Sequence, residues 1–305
     1  MQQQDWAGVF PAITTPFGPD GEIDEPFLAE HAAWLMASGC AGIVALGSLG
    51  EAATLRPDEK IRVLQVCRDA IGNAPLVAGV SGLSTEECIA LARAAERAGC
   101  AGLMVLPPYV YRGEWPETEA HFSSVLSATG LSCMLYNNPI AYGTDLSARD
   151  VAELADSHAN VHAVKESSGD VRRVTALRAE LGNRLQLFAG LDDMILEAAA
   201  MGADGWVAGL VNALPVESVR LLALARAGRA DPASAEAARR LYEWFLPLLR
   251  FDTVPRFVQL IKLVQAEVGK GSERVRPPRL PLAEAERAAA LAVVRERLAA
   301  QRPVG

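Results

Sequence analysis

Two hydrophobic periods alternate along the chain. Short runs of nearly continuous apolar residues are each followed by a longer stretch with apolar residues three and four apart. The runs read as buried strands and the stretches as amphipathic helices. The first strand is expected over Gly8–Thr14, followed by a turn at Pro16–Gly21 and a helix near Glu25–Ser38. Strands are expected next at Ala41–Leu46, Leu76–Val80 and Ala101–Leu106, with helices Pro57–Ile71 and Thr85–Ala98 between them. The pattern goes on through the helix Pro116–Ala128, the strand Ser132–Tyr136 and the helix Ala148–Asp156. A sixth strand, Val161–Val164, ends at Lys165. Val171–Leu181, Leu185–Ala189, Met194–Ala200, Gly205–Ala208 and Val216–Ala225 complete eight strand–helix pairs before Gly228.

Strands apolar throughout are buried on both faces, as in a parallel sheet. The segments 38–42, 98–102 and 201–205 resemble one another, and each places a glycine where a helix closes and a strand begins. Eight such units with short connections predict an α/β fold, a TIM (β/α)8 barrel over residues 1–230. No G-x-G-x-x-G follows the first strand, which counts against a dinucleotide fold. From Asp231 the alternation stops. Ala233–Leu249, Pro255–Val268 and Leu282–Ala300 are expected as a C-terminal three-helix extension, residues 231–305, packed on the barrel. Its apolar residues, Phe251, Phe257, Val258, Leu260, Ile261 and Leu263, would face the barrel or a second subunit.

Composition narrows the function. The 305 residues are half hydrophobic and carry a net charge of −8, which argues against a nucleic-acid partner. The best basic cluster, Arg274, Arg276 and Arg279 among prolines, reads as a solvated connector. MQQQDWAGVF has neither the basic start nor the apolar core of a secretory signal. No apolar segment approaches the roughly 20 residues of a membrane span. Five cysteines are scattered singly and four histidines lack ligand spacing, so a cytoplasmic protein with reduced thiols and no metal or cofactor is expected.

In such a barrel the chemistry gathers just after the strands. Lys165 ends the sixth. At its ordinary pKa a lysine is neutral in about one molecule in a few thousand at pH 7. It attacks carbonyl carbon only where a site desolvates its amine; otherwise it points into water. After the second strand, Gly47-Ser48-Leu49-Gly50 reads either as an ordinary turn or as a cradle of N–H groups and a hydroxyl for a carboxylate. Tyr136 ends the fifth strand, either as a packed ring or as a proton shuttle. Pro107-Pro108-Tyr109-Val110-Tyr111 would wall a pocket. Asp192 and Asp193 would bind substrate hydroxyls or start a helix. Lys165, Tyr136, Ser48 and a carboxylate-sized turn on one face suit imine chemistry on a 2-oxo acid.

Nearly the whole chain resembles the dihydrodipicolinate synthase / N-acetylneuraminate lyase family of class I aldolase-like barrels. The resemblance runs from Pro11-Ala12-Ile13-Thr14-Thr15-Pro16-Phe17 through the C-terminal helices. It rests on G-S-x-G-E at 47–51, Y-N-x-P at 136–139 and V-K-E-S-S-G at 164–169. It implies that Lys165 is the Schiff-base lysine and Tyr136 the proton-shuttling phenol. Ser48 would be the relay hydroxyl, and Gly47 to Gly50 the carboxylate site. It also implies a homo-oligomer, dimer or tetramer, with a small-molecule 2-oxo acid as substrate.

Three departures bear on that substrate. Leu49 stands where synthases of the family have a second threonine. Ala141 stands where they place an arginine for a second carboxylate. Val110 takes the second aromatic position of their P-Y-Y loop, leaving open whether Tyr109 or Tyr111 completes the relay. Losing the arginine removes an interaction worth roughly 1.5–3 kcal/mol. Cleavage, dehydration or deamination of a 2-oxo acid or cyclic imine acid is therefore expected ahead of condensation of pyruvate with aspartate semialdehyde. Leu49, Ala141 and Val207, with Tyr142 nearby, would shape a pocket for a compact tail. The loop Phe251-Asp252-Thr253-Val254-Pro255 resembles relatives that deaminate a hydroxy-pyrroline carboxylate. The rivals are a catalytically silent metabolite-binding barrel and a metal- or phosphate-using barrel, for which Gly205 and Gly209 offer only slender support.

Overall fold

The computed structural model describes residues 1–303. Eight parallel strands follow the order of the chain around a ring: β1 Gly8–Pro11, β2 Ile43–Ala45, β3 Leu76–Val80, β4 Gly102–Val105, β5 Ser132–Asn137, β6 Val161–Glu166, β7 Gln186–Ala189 and β8 Gly205–Ala208. β1 pairs with β8, and Ile13 N–H donates to the Val44 carbonyl at 3.0 Å to close the ring against β2. The expected TIM barrel is therefore the fold. The helices α1 Glu25–Ala37, α2 Pro57–Ile71, α3 Thr85–Arg97 and α4 Trp115–Ser127 lie on its outside. They are followed by a short turn, α5 Pro139–Tyr142, and by α6 Ala148–Ser157, α7 Arg172–Leu181, α8 Ile195–Ala200 and α9 Pro215–Ala227.

Local chemistry sets the ends of these elements. Asp24, Ser84 and Ser147 cap α1, α3 and α6 by accepting a backbone N–H three residues on. Gly39, Gly99 and Gly202, the glycines of the repeated segments, all take positive φ where a helix turns into the next strand. β1 is shorter than its apolar pattern. It stops at Pro11, which has no N–H to offer, and Thr14 and Thr15 turn aside to bond Asn212 and the Gly50 carbonyl. β5 and β6 run longer than expected and pair Tyr136 with Lys165 and Asn137 with Glu166. Strand pairing thus sets the two candidate groups side by side at the carboxyl end of the barrel.

Three helices complete the chain: α10 Pro232–Leu249, α11 Phe257–Glu267 and α12 Glu284–Ala299. The apolar core of the barrel, with Trp6, Phe10, Phe188 and Trp206 at its centre, continues into Leu241, Phe245, Val258 and Ile261 of this extension. The basic connector is not solvated as expected. Arg276 forms a two-pronged pair with Glu59 at 2.8 and 2.9 Å and lies 4.5 Å from the Phe17 ring. Its N–H groups also reach the Gly21 carbonyl. The arginine pins the extension across the barrel mouth rather than trailing in water.

Candidate active site

Lys165 is only 6% exposed, although it ends a strand at the barrel mouth. Its Nζ lies 4.2 Å from the centre of the Tyr136 ring and has no salt-bridge partner among the described residues. Gly190, just after β7, makes room for the lysine stem. A Cβ there would stand 2.8 Å from Lys165 Cε and 1.7 Å from the Ser167 hydroxyl. That hydroxyl is itself buried and unpartnered among the described residues.

Three tyrosines gather beside the amine. The Tyr142 ring meets Tyr136 edge-on, with centroids 5.8 Å apart, and stands 5.3 Å from Tyr109. The Tyr142 hydroxyl is hydrogen-bonded to Ser48. Burial pushes the Tyr142 phenol well up from its ordinary value, helped by the neighbouring tyrosines, while the Ser48 hydrogen bond acts the other way. Tyr109 is also pushed up by burial. Tyr111 is 57% exposed and donates to Glu117 at 2.8 Å. Of the two aromatics in that loop, Tyr109 therefore faces the cluster. Asn138 Nδ2 donates to the Tyr136 hydroxyl at 3.0 Å.

The Gly47–Gly50 turn is buried except at Ser48 and is entered and left by strained residues. Leu46 and Glu51 take φ of 63° and 56°, unusual for residues with a side chain. Glu51 is wholly buried and braces the turn from behind. It accepts from Lys262 Nζ at 2.6 Å and from Arg276 N–H at 3.1 Å. Lys262 also donates to the carbonyls of Thr15 and Arg274 at 2.8 and 2.7 Å. Burial lowers the Lys262 pKa against the opposing pull of Glu51. Sequence reasoning passed over this pair, yet a lone lysine inside the apolar run Leu260-Ile261-Lys262-Leu263-Val264 was its signal.

The remaining expected contacts divide. Leu49 and Val207 are buried at the turn and at the end of β8, and Ala141 is exposed on α5. Asp192, expected as a substrate contact, is engaged with its own backbone surroundings. It is wholly buried, and its carboxylate accepts from Trp206 Nε1, Gly209 N–H and Leu210 N–H at 2.7 to 3.1 Å. Those bonds leave it holding the end of β8. Burial nevertheless pushes Asp192 up to about 6. Asp252, from the extension, stands beside it and fills the space a Cβ on Gly209 would take, with Oδ1 2.2 Å from that point. Burial and the charge of Asp192 push Asp252 well up. A further basic group missed in the sequence, Arg112, lays its guanidinium against Gly143, next to Tyr142. No group of side chains suited to a metal ion occurs among the described residues.

The arrangement offers a buried amine, a phenol against it, a second hydroxyl pair and a small N–H-rich turn. The chain matches the model of the dihydrodipicolinate synthetase family over residues 5–297. It is 35% identical over 289 residues to a 4-hydroxy-tetrahydrodipicolinate synthase of Sorangium cellulosum, covering 94% of each chain. Among solved structures, it resembles the 4-hydroxy-tetrahydrodipicolinate synthase of Methylacidiphilum fumariolicum SolV at TM-score 0.89 and 28% identity, over 96% of this chain and 97% of that one. It also resembles YagE, a prophage protein of the same family from E. coli K12 in complex with pyruvate, at TM-score 0.89 and 27% identity, over 97% and 99% of the two chains.

Proposed function

The chain belongs to the dihydrodipicolinate synthetase family and is a lyase of the lysine Schiff-base type acting on small molecules, and from that premise we propose that Lys165 binds a 2-oxo acid such as pyruvate as an imine. One observation carries the assignment: the Lys165 amine is buried, has no salt-bridge partner among the described residues, and lies 4.2 Å from the centre of the Tyr136 ring. The amine attacks C2 of the 2-oxo acid, and the oxygen leaves as water once it has been protonated. Loss of a C3 proton then gives an enamine, the carbon nucleophile. Tyr136 is the group placed to move those protons, with Ser48 and Tyr142 as the hydroxyl pair behind it. Backbone N–H groups of the Gly47–Gly50 turn suit the carboxylate.

Two fates of the enamine have separate support. Condensation with aspartate semialdehyde is supported by the names of the curated relatives, at 28 to 35% identity, and theirs is the stronger support. Cleavage, dehydration or deamination, including that of a hydroxy-pyrroline carboxylate, is supported by Ala141, which leaves no charge on α5 for a second carboxylate, and by the apolar Leu49 in the turn after β2. Asp252, an acid beside the lysine's end of the barrel, supports it too. A side-by-side assay separates them. Turnover of pyruvate with aspartate semialdehyde, without release from 2-keto-3-deoxy sugar acids, sialic acid or hydroxy-pyrroline carboxylate, establishes condensation. The reverse result excludes it.

A homo-oligomer in a reducing cytoplasm fits the same reading. Five buried cysteines are free thiols, and Leu83, Val110 and Tyr111 leave large apolar area exposed near the mouth. No helix among the described residues is long and apolar enough to cross a membrane.

A further inference from the structure

We infer that Asn138, between Tyr136 and the turn α5, is a positioning residue that fixes which way the Tyr136 hydroxyl points its proton. The inference rests on the imine reading above. Asn138 Oδ1 accepts the backbone N–H of Ala141 at 3.0 Å and so caps α5. A backbone N–H can only donate, so the oxygen end of the amide must face Ala141. The nitrogen end therefore faces Tyr136 and can only donate to it, which it does at 3.0 Å. The phenol oxygen must accept along that direction. Its own hydrogen is left for another direction, and the groups around the ring are the Lys165 amine, 4.2 Å from its centre, and Tyr142, edge-on and bonded to Ser48.

The same residue delivers Tyr142. Pro139, first in α5, has no N–H, and the Asn138 carbonyl accepts from Tyr142 N–H at 3.0 Å. One asparagine thus holds the turn that brings Tyr142 to Ser48 and sets the donor direction of Tyr136. A caged donor of this kind suits the step in which the carbinolamine oxygen takes a proton and leaves as water. It also suits return of that proton from C3 when the enamine forms.

The test uses pyruvate as the probe and two variants that keep the cap. Aspartate and serine both cap helices about as well as asparagine. Asn138→Asp is isosteric but presents only acceptors, so the phenol must turn its hydrogen to the carboxylate and away from the pocket. Asn138→Ser caps but is too short to reach the phenol. Exchange of the pyruvate methyl protons in D2O is followed by NMR, and the Lys165 adduct is measured after borohydride reduction at equilibrium. The expected result is unaltered melting and adduct yield, an exchange rate lowered at least about tenfold in Asn138→Asp, and a smaller loss in Asn138→Ser. A purely structural cap predicts wild-type exchange in both, and that result overturns the inference. A wild-type enzyme that forms no adduct overturns the imine reading instead, and this inference with it.

Discussion

At the scale of single residues, the site is arranged around charges that have lost their water. Lys165 forms no salt bridge among the described residues, but two nearby carboxyls feel its charge: the wholly buried Asp192 after β7 and the half-buried Asp252 of the extension. Both are pushed up from the unfolded value of 3.8, Asp192 to about 6. An acid whose folded pKa is raised holds, between the two values, a proton that the unfolded chain has released. Its contribution to stability is whole below the unfolded pKa and is lost as pH rises through the folded one. Wild type should therefore lose stability relative to Asp252→Asn as pH rises above the unfolded value of about 4. Paired urea titrations of the two proteins at several pH values measure this. A difference that does not vary with pH would mean that Asp252 is an ordinary exposed carboxylate. Asp192 was readable as an acid near the site but its partners were not, because only the fold brings Trp206, Gly209 and Leu210 to its oxygens.

At the scale of elements, hydrophobic period identified all eight strands and the large helices, since a strand buried on both faces has no polar residue to blur it. It misjudged the ends of β1, β5 and β6 and missed α5 entirely. Four residues are too few to show a helical period, and what makes the turn is the Asn138 cap followed by Pro139. The motif Gly47–Glu51 was legible, but not what braces it. That brace is Lys262 on α11, some two hundred residues away and visible beforehand only as a cation in an apolar run. Removing one partner of a buried ion pair leaves the other charge unpaired, at a cost of about 3–5 kcal/mol. Lys262→Met is expected to lower the folding free energy by that amount in denaturant melts and to weaken pyruvate binding. The paired change Lys262→Met with Glu51→Gln should recover part of it. A Lys262→Met protein as stable as wild type would show that the pair does not brace the turn.

At the scale of the whole molecule, the barrel supplies the proposed reacting groups and the extension packs beside them. Lys165 and Tyr136 come from β6 and β5, Ser48 follows β2, and the extension contributes Asp252, Lys262 and Arg276 to the wall around them. This division explains what the sequence could and could not show. Motifs local in the chain, such as Val164–Gly169 and Tyr136–Pro139, announce themselves. Contacts made only when the ring closes do not, as Asp252 against Gly209 and Lys262 against Glu51 illustrate. The central claim concerns the local motif and has a direct test. Wild type is incubated with pyruvate, reduced with borohydride, digested and weighed by mass spectrometry, alongside Lys165→Ala. A reduced pyruvate adduct is expected on the peptide carrying Lys165 and none in the variant; an adduct on another lysine, or an equal yield from both proteins, would rule out the Lys165 imine.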